Sequence, residues 1–164
     1  MGLQLPGELV SLLQILGYNW PQADEEKLFQ MGQRWMNFSG TVNEVVGQGD
    51  STAARVWQQN AGKDITAFTE HWQNEEGPSK VLAESSTAAT LVGTGMTIIS
   101  AIVLALKVQV IAQLVILAIQ IAQAIATAVV TFGASLAEIP IFQMISRKFV
   151  GILIDQVINQ LLSA

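Results

Sequence analysis

Few side chains in this sequence have reactive chemistry, and the single histidine is the first to consider. His71 stands in an acidic stretch with Glu70, Glu75 and Glu76. Acid–base or nucleophilic catalysis requires a histidine to converge with a carboxylate and a nucleophile, so a solvated helix edge is the simpler interpretation. His71 and Glu75 share one helical face, but two ligands do not make a metal site. We therefore expect no catalytic residues and no metal site, and the protein is not expected to be an enzyme.

Two further motifs are candidates for ligand chemistry. Gly93-Thr94-Gly95 lacks the preceding strand and the following Gly-Lys-Ser/Thr of a phosphate loop. Asp24-Glu25-Glu26 is typical of the acidic first turn of a helix. The chain has no cysteine and no Lys/Arg-rich patch, which argues against thiolate metal sites and against nucleic-acid binding. No cofactor is expected.

Charged residues are sparse and unevenly distributed along the chain. The 164 residues are 51% hydrophobic and 13% charged, well below the roughly 25% charge of typical soluble domains. Residues 1–87 hold five Lys/Arg and eleven Asp/Glu, whereas residues 88–164 hold three and two. The length suits one domain, and the apolar second half indicates a membrane, a large partner or an unusually apolar core.

The front half is predicted to form a short helix and a helical hairpin. The short apolar helix covers residues 5–17, and a non-helical elbow follows it. The next helix opens with the acidic run, and its apolar positions alternate at spacings of three and four: Leu28, Met31, Trp35, Phe38, Val42 and Val45. The hairpin turn is predicted at residues 47–50 or at residues 60–62.

The second arm of the hairpin carries another apolar series: Trp57, Ala61, Ile65, Phe68 and Trp72. This helix is predicted to reach about Glu76, because Gly77-Pro78 cannot continue it. The two tryptophans are fifteen residues apart and are therefore predicted to lie on nearly one face. They would be core anchors if buried and interface residues if exposed.

The second half is predicted to be a long apolar helix, with Lys107 as the only charged residue between Ala88 and Ala137. A continuous helix over residues 96–132 would be roughly 55 Å long. Gly93, Gly95 and Gly133 are the candidate positions at which the helix would loosen. Its polar residues fall on a stripe about 80° wide. This polar stripe comprises Gln109, Gln113, Gln120, Gln123, Thr127 and Thr131, with Glu138 in line beyond them.

The polar stripe leaves two environments open, because each buried amide needs hydrogen-bond partners. In a water-soluble bundle the stripe faces solvent or partner helices. In a membrane-inserted oligomer it lines a lumen, with the apolar arc towards lipid. The segment is long enough to span a bilayer, but its polar residues favour the soluble bundle, either monomeric or as a homo-oligomer.

A final amphipathic helix after Ile139-Pro140 completes an all-α fold. We predict an elongated helical bundle in which the hairpin packs against the long apolar helix and the C-terminal helix. It is expected to be a single domain of residues 1–164. Residues 1–77 hold the short helix and the hairpin, and residues 78–164 hold the two later helices.

Several short tracts, taken in order, resemble a known family. They are Leu5-Pro6-Gly7-Glu8, residues 17–25, Met31-Gly32 with Trp35, residues 56–62, Ala67-Phe68, His71-Trp72, Lys107-Val108, Ala112-Gln113-Leu114, residues 130–133 and Ile139-Pro140. Together they are similar to the WXG-like, or CpnT-like, N-terminal domains of actinobacterial polymorphic toxins. The resemblance covers nearly the whole chain.

The resemblance implies a hairpin that pairs with a similar helical partner for type VII (ESX-like) export without a cleaved signal. Trp57 matches the motif tryptophan, but Gln59 occupies the glycine position, so the strict Trp-x-Gly motif is absent. The family's export tag, Tyr-x-x-x-Asp/Glu, is also missing, and Trp72 with Glu76 is the substitute. The motif and partner-binding residues implied in this way are Trp57, Asn60, Gly62, Phe68, Trp72 and Glu76.

Three hypotheses for function follow. The first is a non-catalytic type VII secretion targeting domain of a toxin-like protein, whose partner is a helical WXG-type protein or the secretion machinery. The alternative is a membrane-inserting or channel-forming domain whose Gln109–Thr131 stripe faces a lumen, and the second alternative is a self-associating scaffold. The first residues do not resemble a signal peptide. We therefore expect the protein to be secreted, or to reach the cell envelope, from the cytoplasm by a signal-independent route.

Overall fold

The computed structural model describes residues 2–163, which fold into helices joined by turns and irregular segments. In chain order the elements are α1 (Gly7–Ile15), α2 (Glu25–Gln59), α3 (Lys63–Gln73), α4 (Pro78–Thr127), a short 3-10 helix (Ala134–Glu138) and α5 (Ile139–Ser163). The predicted all-α helical bundle is confirmed. The chain forms two compact units. The hairpin unit is Leu28–Ile98, and the terminal unit comprises the chain up to Lys27 and from Ile99 onward.

Local capping explains where α1 ends and where α2 begins. Gly17 has a φ of 83°, in the left-handed region that favours glycine, and its N–H donates to the carbonyl of Gln14 at 2.9 Å. Asp24 caps α2, because its Oδ1 accepts the N–H of Lys27 at 3.1 Å. This backbone hydrogen bond also lowers the pKa of Asp24. The acidic run therefore opens the helix as the sequence predicts.

The turn between α2 and α3 lies at residues 60–62, the second of the two predicted sites. Gly62 has a φ of 147°, a conformation that L side chains rarely adopt. Its carbonyl accepts the N–H of Thr66 at 3.0 Å, which starts α3. α3 ends at Gln73 and not at the predicted Glu76, because Asn74 leaves the helical region with ψ at 152°.

Gly77 is required by the tight passage from α3 to α4. A Cβ at this position would lie 2.7 Å from the carbonyl oxygens of both His71 and Trp72. Pro78 then occupies the first position of α4, where its missing N–H costs no hydrogen bond. The predicted helix break at Gly77-Pro78 is present, but the compact hairpin unit continues along α4 to Ile98.

α4 begins earlier and ends earlier than predicted. It runs from Pro78 to Thr127, and neither Gly93 nor Gly95 interrupts it. Residues 128–133 form hydrogen-bonded turns in place of the expected continuation to Phe132. Thr131 and Glu138 consequently lie outside this helix, so the polar stripe on α4 is shorter than predicted.

Small residues bring α2 and α4 close together inside the hairpin unit. A Cβ on Gly32 would lie 2.7 Å from the carbonyl oxygen of Gly93, and a Cβ on Gly93 would lie 2.8 Å from that of Gly32. Nearby, the buried hydroxyl of Ser39 lies 2.8 Å from those of Ser86 and Thr90. The helices therefore pack backbone to backbone, with hydroxyl groups that satisfy one another.

The terminal unit has an aliphatic core drawn from α1, α4 and α5. Its buried members are Leu13, Leu16, Leu106, Val110, Leu114, Leu117 and Val150. Tyr18 and Trp20 pack against this cluster from the non-helical elbow between α1 and α2. Tyr18 also donates its hydroxyl to the carbonyl of Arg147 at 3.3 Å, which ties the elbow to α5.

Candidate partner-binding site

The hairpin unit holds three half-buried aromatic residues near its turn. The ring of Phe68 lies 6.0 Å from that of Trp57 and 5.8 Å from that of Trp72, measured between centroids. Trp57 belongs to α2, whereas Phe68 and Trp72 belong to α3. The prediction that both tryptophans share one helical face is therefore wrong. The turn lies after Trp57, and the two rings approach Phe68 from different helices.

Asp50 fixes the orientation of Trp72. The indole Nε1 of Trp72 donates to Asp50 Oδ1 at 2.8 Å. Side-chain hydrogen bonds from Ser79 and Trp72 lower the pKa of Asp50, so its carboxylate stays ionised. A pocket of about 370 Å³ lies beside this contact and includes Trp57 and Lys80 in its lining. Sequence reasoning missed Asp50 because its partner lies on another helix.

The other residues implied by the family resemblance lie around the turns of the hairpin. Asn60 directly follows α2, and its Nδ2 donates to the carbonyl of Val56 at 2.8 Å. Gly62 forms the turn itself. Glu76 lies beyond the end of α3, where its N–H donates to Asn74 Oδ1 at 3.3 Å. Trp72 and Glu76 are thus not on one helical face, and their role as an export signal stays a prediction.

The apolar positions predicted for α2 form a stripe that is exposed at four positions and half-buried at Leu28 and Val42. We call it the α2 stripe: Leu28, Met31, Trp35, Phe38, Val42 and Val45. Met31 is 46% exposed, Trp35 38%, and Phe38 and Val45 are each 53% exposed. The rings of Trp35 and Phe38 meet edge to face, with centroids 6.0 Å apart. Together with Met31 and Arg34 they line an open pocket of about 370 Å³.

The α2 stripe is exposed because α2 packs through a different face. The residues of α2 that are buried in the hairpin unit are small: Gly32, Ser39 and Ala53. Spacings of seven and fourteen keep these three close to one line along the helix. At Gly32 and Ser39 this narrow face contacts α4, whereas the bulky apolar face of α2 stays largely exposed among the described residues. Alternating spacings of three and four are the pattern by which two helices associate.

The polar stripe of α4 is divided between exposed and buried environments. Gln109 and Gln123 are exposed, and Gln120 is half-buried. Gln113 donates its amide to the hydroxyl of Ser146 on α5 at 3.1 Å. Thr127 returns its hydroxyl to the carbonyl of Gln123 at 2.9 Å. Part of the stripe therefore joins α4 to α5 within the terminal unit, and part remains at its surface.

Lys107, the one charged residue between Ala88 and Ala137, is buried in the terminal unit. Lys107 is 1% exposed, and its Nζ lies 2.7 Å from Glu25 Oε2 and 2.7 Å from the carbonyl oxygen of Ala23. The ammonium group also lies 5.7 Å from the centroid of the Trp20 ring. The backbone N–H of Leu3 donates to the other carboxylate oxygen of Glu25.

Glu25 is ionised in this setting. Burial works to raise its pKa, but the hydrogen bonds from Lys107 and from the backbone N–H groups of Leu3 and Glu25 lower the pKa to about 2. Sequence reasoning identified the acidic run only as a helix start. Nothing in the local spacing signals the ion pair, because its partner lies on α4.

Around this buried pair, α4 and α5 expose much apolar surface. Large side chains of the terminal unit that are at least 42% exposed include Leu104, Val108, Val115, Ile116, Ile119, Ile141, Met144, Phe149 and Ile152. α4 contains a stretch long and apolar enough to cross a membrane, and only 33% of its most apolar window is buried.

His71 lies exposed on α3, and residues 2–163 bring no three His, Cys, Asp or Glu together as a metal site.

Comparison with known proteins identifies the family. A family model described as a WXG100 like domain matches residues 4–148, which is most of the chain. No curated protein and no solved structure matches it significantly. The chain belongs to the WXG100-like domain family, which confirms the WXG-like resemblance of the sequence. It is therefore a type VII secretion-related helical protein, of a family whose members self-associate or pair.

Proposed function

We propose that this protein is a non-catalytic recognition module for type VII export, and that the α2 stripe is the surface through which it pairs with a helical partner. The observation that carries the proposal is the exposure of Met31, Trp35, Phe38 and Val45, four members of a stripe whose six positions alternate at spacings of three and four. A helix with the same pattern would bury these side chains between the two chains. Family membership supports pairing as the mode of action.

The aromatic residues of the hairpin turn complete the recognition surface. Trp57, Phe68 and Trp72 form an aromatic cluster near the turn between α2 and α3. The pocket beside Asp50 is open to a segment of the partner. Trp72 and Glu76, at the end of α3, supply the aromatic and acidic groups of the export signal. The partner is a WXG-type helical protein or a component of the export machinery, and the module belongs to a toxin-like protein.

Export from cells tests this proposal. The double variant Trp35→Ser/Phe38→Ser removes the centre of the α2 stripe, and Val81→Ser removes a similarly exposed apolar side chain on α4 as the control. We expect the parent and Val81→Ser to reach the medium only when the type VII machinery is active. The double variant should remain in the cells with unchanged helical content. Normal export of the double variant would contradict a role for the stripe.

Membrane insertion is a second candidate function, supported by the exposed apolar arc of α4 and α5 in the terminal unit. In this state the glutamines of the polar stripe would face a lumen and the apolar arc would face lipid. Purified protein would then release a dye trapped in lipid vesicles. The absence of release across lipid compositions and pH values would contradict this candidate.

A self-associating scaffold is the third candidate, because the same apolar arc would also serve contacts between copies. Light scattering coupled to size exclusion, without lipid or detergent, distinguishes it from the others. Defined large particles would support the scaffold. A monomer or a small oligomer would contradict it.

A further inference from the structure

The turn that follows α4 carries three of the four most exposed large apolar side chains in the described part of the terminal unit. Val129 is 86% exposed, Val130 81% and Phe132 99%. Soluble proteins rarely leave several such side chains uncovered side by side. Phe132 also has a φ of 51°, in the left-handed region that non-glycine residues seldom adopt. The backbone therefore holds a bulky ring outward in a strained conformation, which calls for a functional explanation.

The polar groups of this turn are directed towards one another. Five backbone N–H groups donate to carbonyls of the turn or of the end of α4. The donors are Ala128, Val130, Thr131, Gly133 and Ala134. The hydroxyl of Thr131 donates to the carbonyl of Thr127 at 3.0 Å, and that of Ser135 donates to the carbonyl of Ala124 at 2.7 Å. Each N–H group that is paired in this way lowers the free-energy cost of moving the turn out of water.

The turn itself has no charged side chain, and the nearest charged residue along the chain is Glu138, exposed in the 3-10 helix that follows. Between Ala88 and Ala137 the sequence has one charged residue, Lys107, and that side chain is buried against Glu25. The turn therefore offers no ionic group that would orient a protein partner. Three side chains also fall well short of the roughly 800 Å² that each partner contributes to a stable protein interface. Binding to a lipid surface requires neither an ionic group nor an interface of that size, because its strength scales with the apolar area that is inserted.

We propose that residues 128–133 form a membrane-anchoring tip, whose Val129, Val130 and Phe132 side chains insert into the apolar edge of a lipid bilayer. This inference deepens the second candidate function and rests on its premise that the protein meets a membrane. It does not require a channel, since a tip can anchor the protein at the surface. Because the tip has no charge, zwitterionic lipid suffices and salt has little effect.

A fluorescence experiment tests the location of the tip. The chain has no cysteine, so Val130→Cys and, as the control, Glu44→Cys each provide one site for an environment-sensitive NBD label. With phosphatidylcholine vesicles we expect a blue shift for the label at position 130 and none at position 44. An equal shift at both positions, or no shift at position 130, would overturn the proposal. A shift that appears on self-association without vesicles would also overturn it, in favour of a second copy.

Vesicle binding by unlabelled variants supplies the second measurement. Phe132→Asn removes the ring but keeps a residue that tolerates the left-handed conformation, so the fold is retained. Leu91→Gln is the control, since Leu91 is 69% exposed on α4 in the hairpin unit. We expect Phe132→Asn to lower the partition into phosphatidylcholine vesicles by about tenfold or more, and Leu91→Gln to leave it unchanged.

The remaining outcomes separate the tip from the functions proposed above. Equal binding by Phe132→Asn and the parent protein would overturn the anchoring tip, whatever the vesicle-release assay shows. Tip binding without dye release would keep the tip and contradict the channel. Export of Phe132→Asn at the parental level is expected in either case, because the α2 stripe is untouched.

Discussion

Lys107 Nζ lies 2.7 Å from Glu25 Oε2, and this buried ion pair joins residues that are 82 positions apart in the sequence. The contact ties the first turn of α2 to the middle of α4 within the terminal unit. Ser100 adds a second link, because its hydroxyl donates to the carbonyl of Glu25 at 2.8 Å. Lys107, a charged residue in the middle of the apolar helix α4, therefore holds the start of α2, the segment that leads into the hairpin.

Removing one partner of this pair should be more costly than removing both. Lys107→Met leaves a buried carboxylate without its cation, and we expect it to lower the free energy of unfolding by about 3–5 kcal/mol. Glu25→Gln keeps an acceptor for the N–H of Leu3 but leaves the ammonium group unpaired, with a loss of similar size. The double variant should lose less than the sum of the two.

Chemical denaturation of the two single variants and the double variant measures this coupling. Lys27→Met serves as the control, since Lys27 is a mostly exposed lysine whose ion pair with Asp24 spans 3.7 Å. We expect it to change stability little. Strictly additive losses for Glu25 and Lys107 would show that the pair contributes no interaction energy.

The same pair predicts how stability depends on pH. Folding lowers the pKa of Glu25 from its ordinary value of 4.5 to about 2. A lowered pKa stabilises the folded state above the unfolded value, and this contribution is lost as the pH falls from 4.5 towards about 2. The midpoint of thermal unfolding should therefore fall in this window. The fall should be smaller for Glu25→Gln, and an identical pH profile for that variant would contradict the assignment.

Long-range pairing marks the limit of what the sequence reveals. The isolation of Lys107 among apolar residues is plain from the sequence, and so is the acidic start of α2. The contact between Lys107 and Glu25 is not visible in the sequence, because nothing in either local pattern identifies a partner so far along the chain. Asp50 and Trp72 were missed as a pair for the same reason.

Periodicity revealed the faces of the helices but not what covers them. The spacing of the α2 stripe was correctly interpreted as one apolar face of a helix. Its exposure depends on Gly32 and Ser39, whose small side chains let α4 approach from another side. The end of α4 at Thr127 was not predicted either, since no glycine or proline lies between Thr127 and Gly133. There the hydroxyls of Thr131 and Ser135 bond to carbonyls at the end of α4.

Two glycines of α4 should respond in opposite ways to alanine. A Cβ on Gly93 would meet the carbonyl oxygen of Gly32 at 2.8 Å, whereas a Cβ on Gly95 would meet nothing within 4 Å. Gly93→Ala forces α2 and α4 apart, and we expect a loss of about 1–3 kcal/mol in the free energy of unfolding. Gly95→Ala should gain up to about 1 kcal/mol from its better helix propensity. Thermal unfolding followed by circular dichroism compares them, and stabilisation by both would contradict the close crossing.

The last prediction concerns the hydrogen bond that orients Trp72 in the partner-binding site. Trp72→Phe keeps a ring against Phe68 but removes the Nε1 donor that lies 2.8 Å from Asp50 Oδ1. Because Ser79 and Lys80 still stabilise the Asp50 carboxylate, we expect a modest loss of about 1 kcal/mol in the free energy of unfolding. The pKa of Asp50 should rise towards its ordinary value, because one of the hydrogen bonds that lower it is gone. Titration of Asp50 by NMR in the parent and in Trp72→Phe measures this shift. An unchanged pKa would show that the indole contributes nothing to the carboxylate.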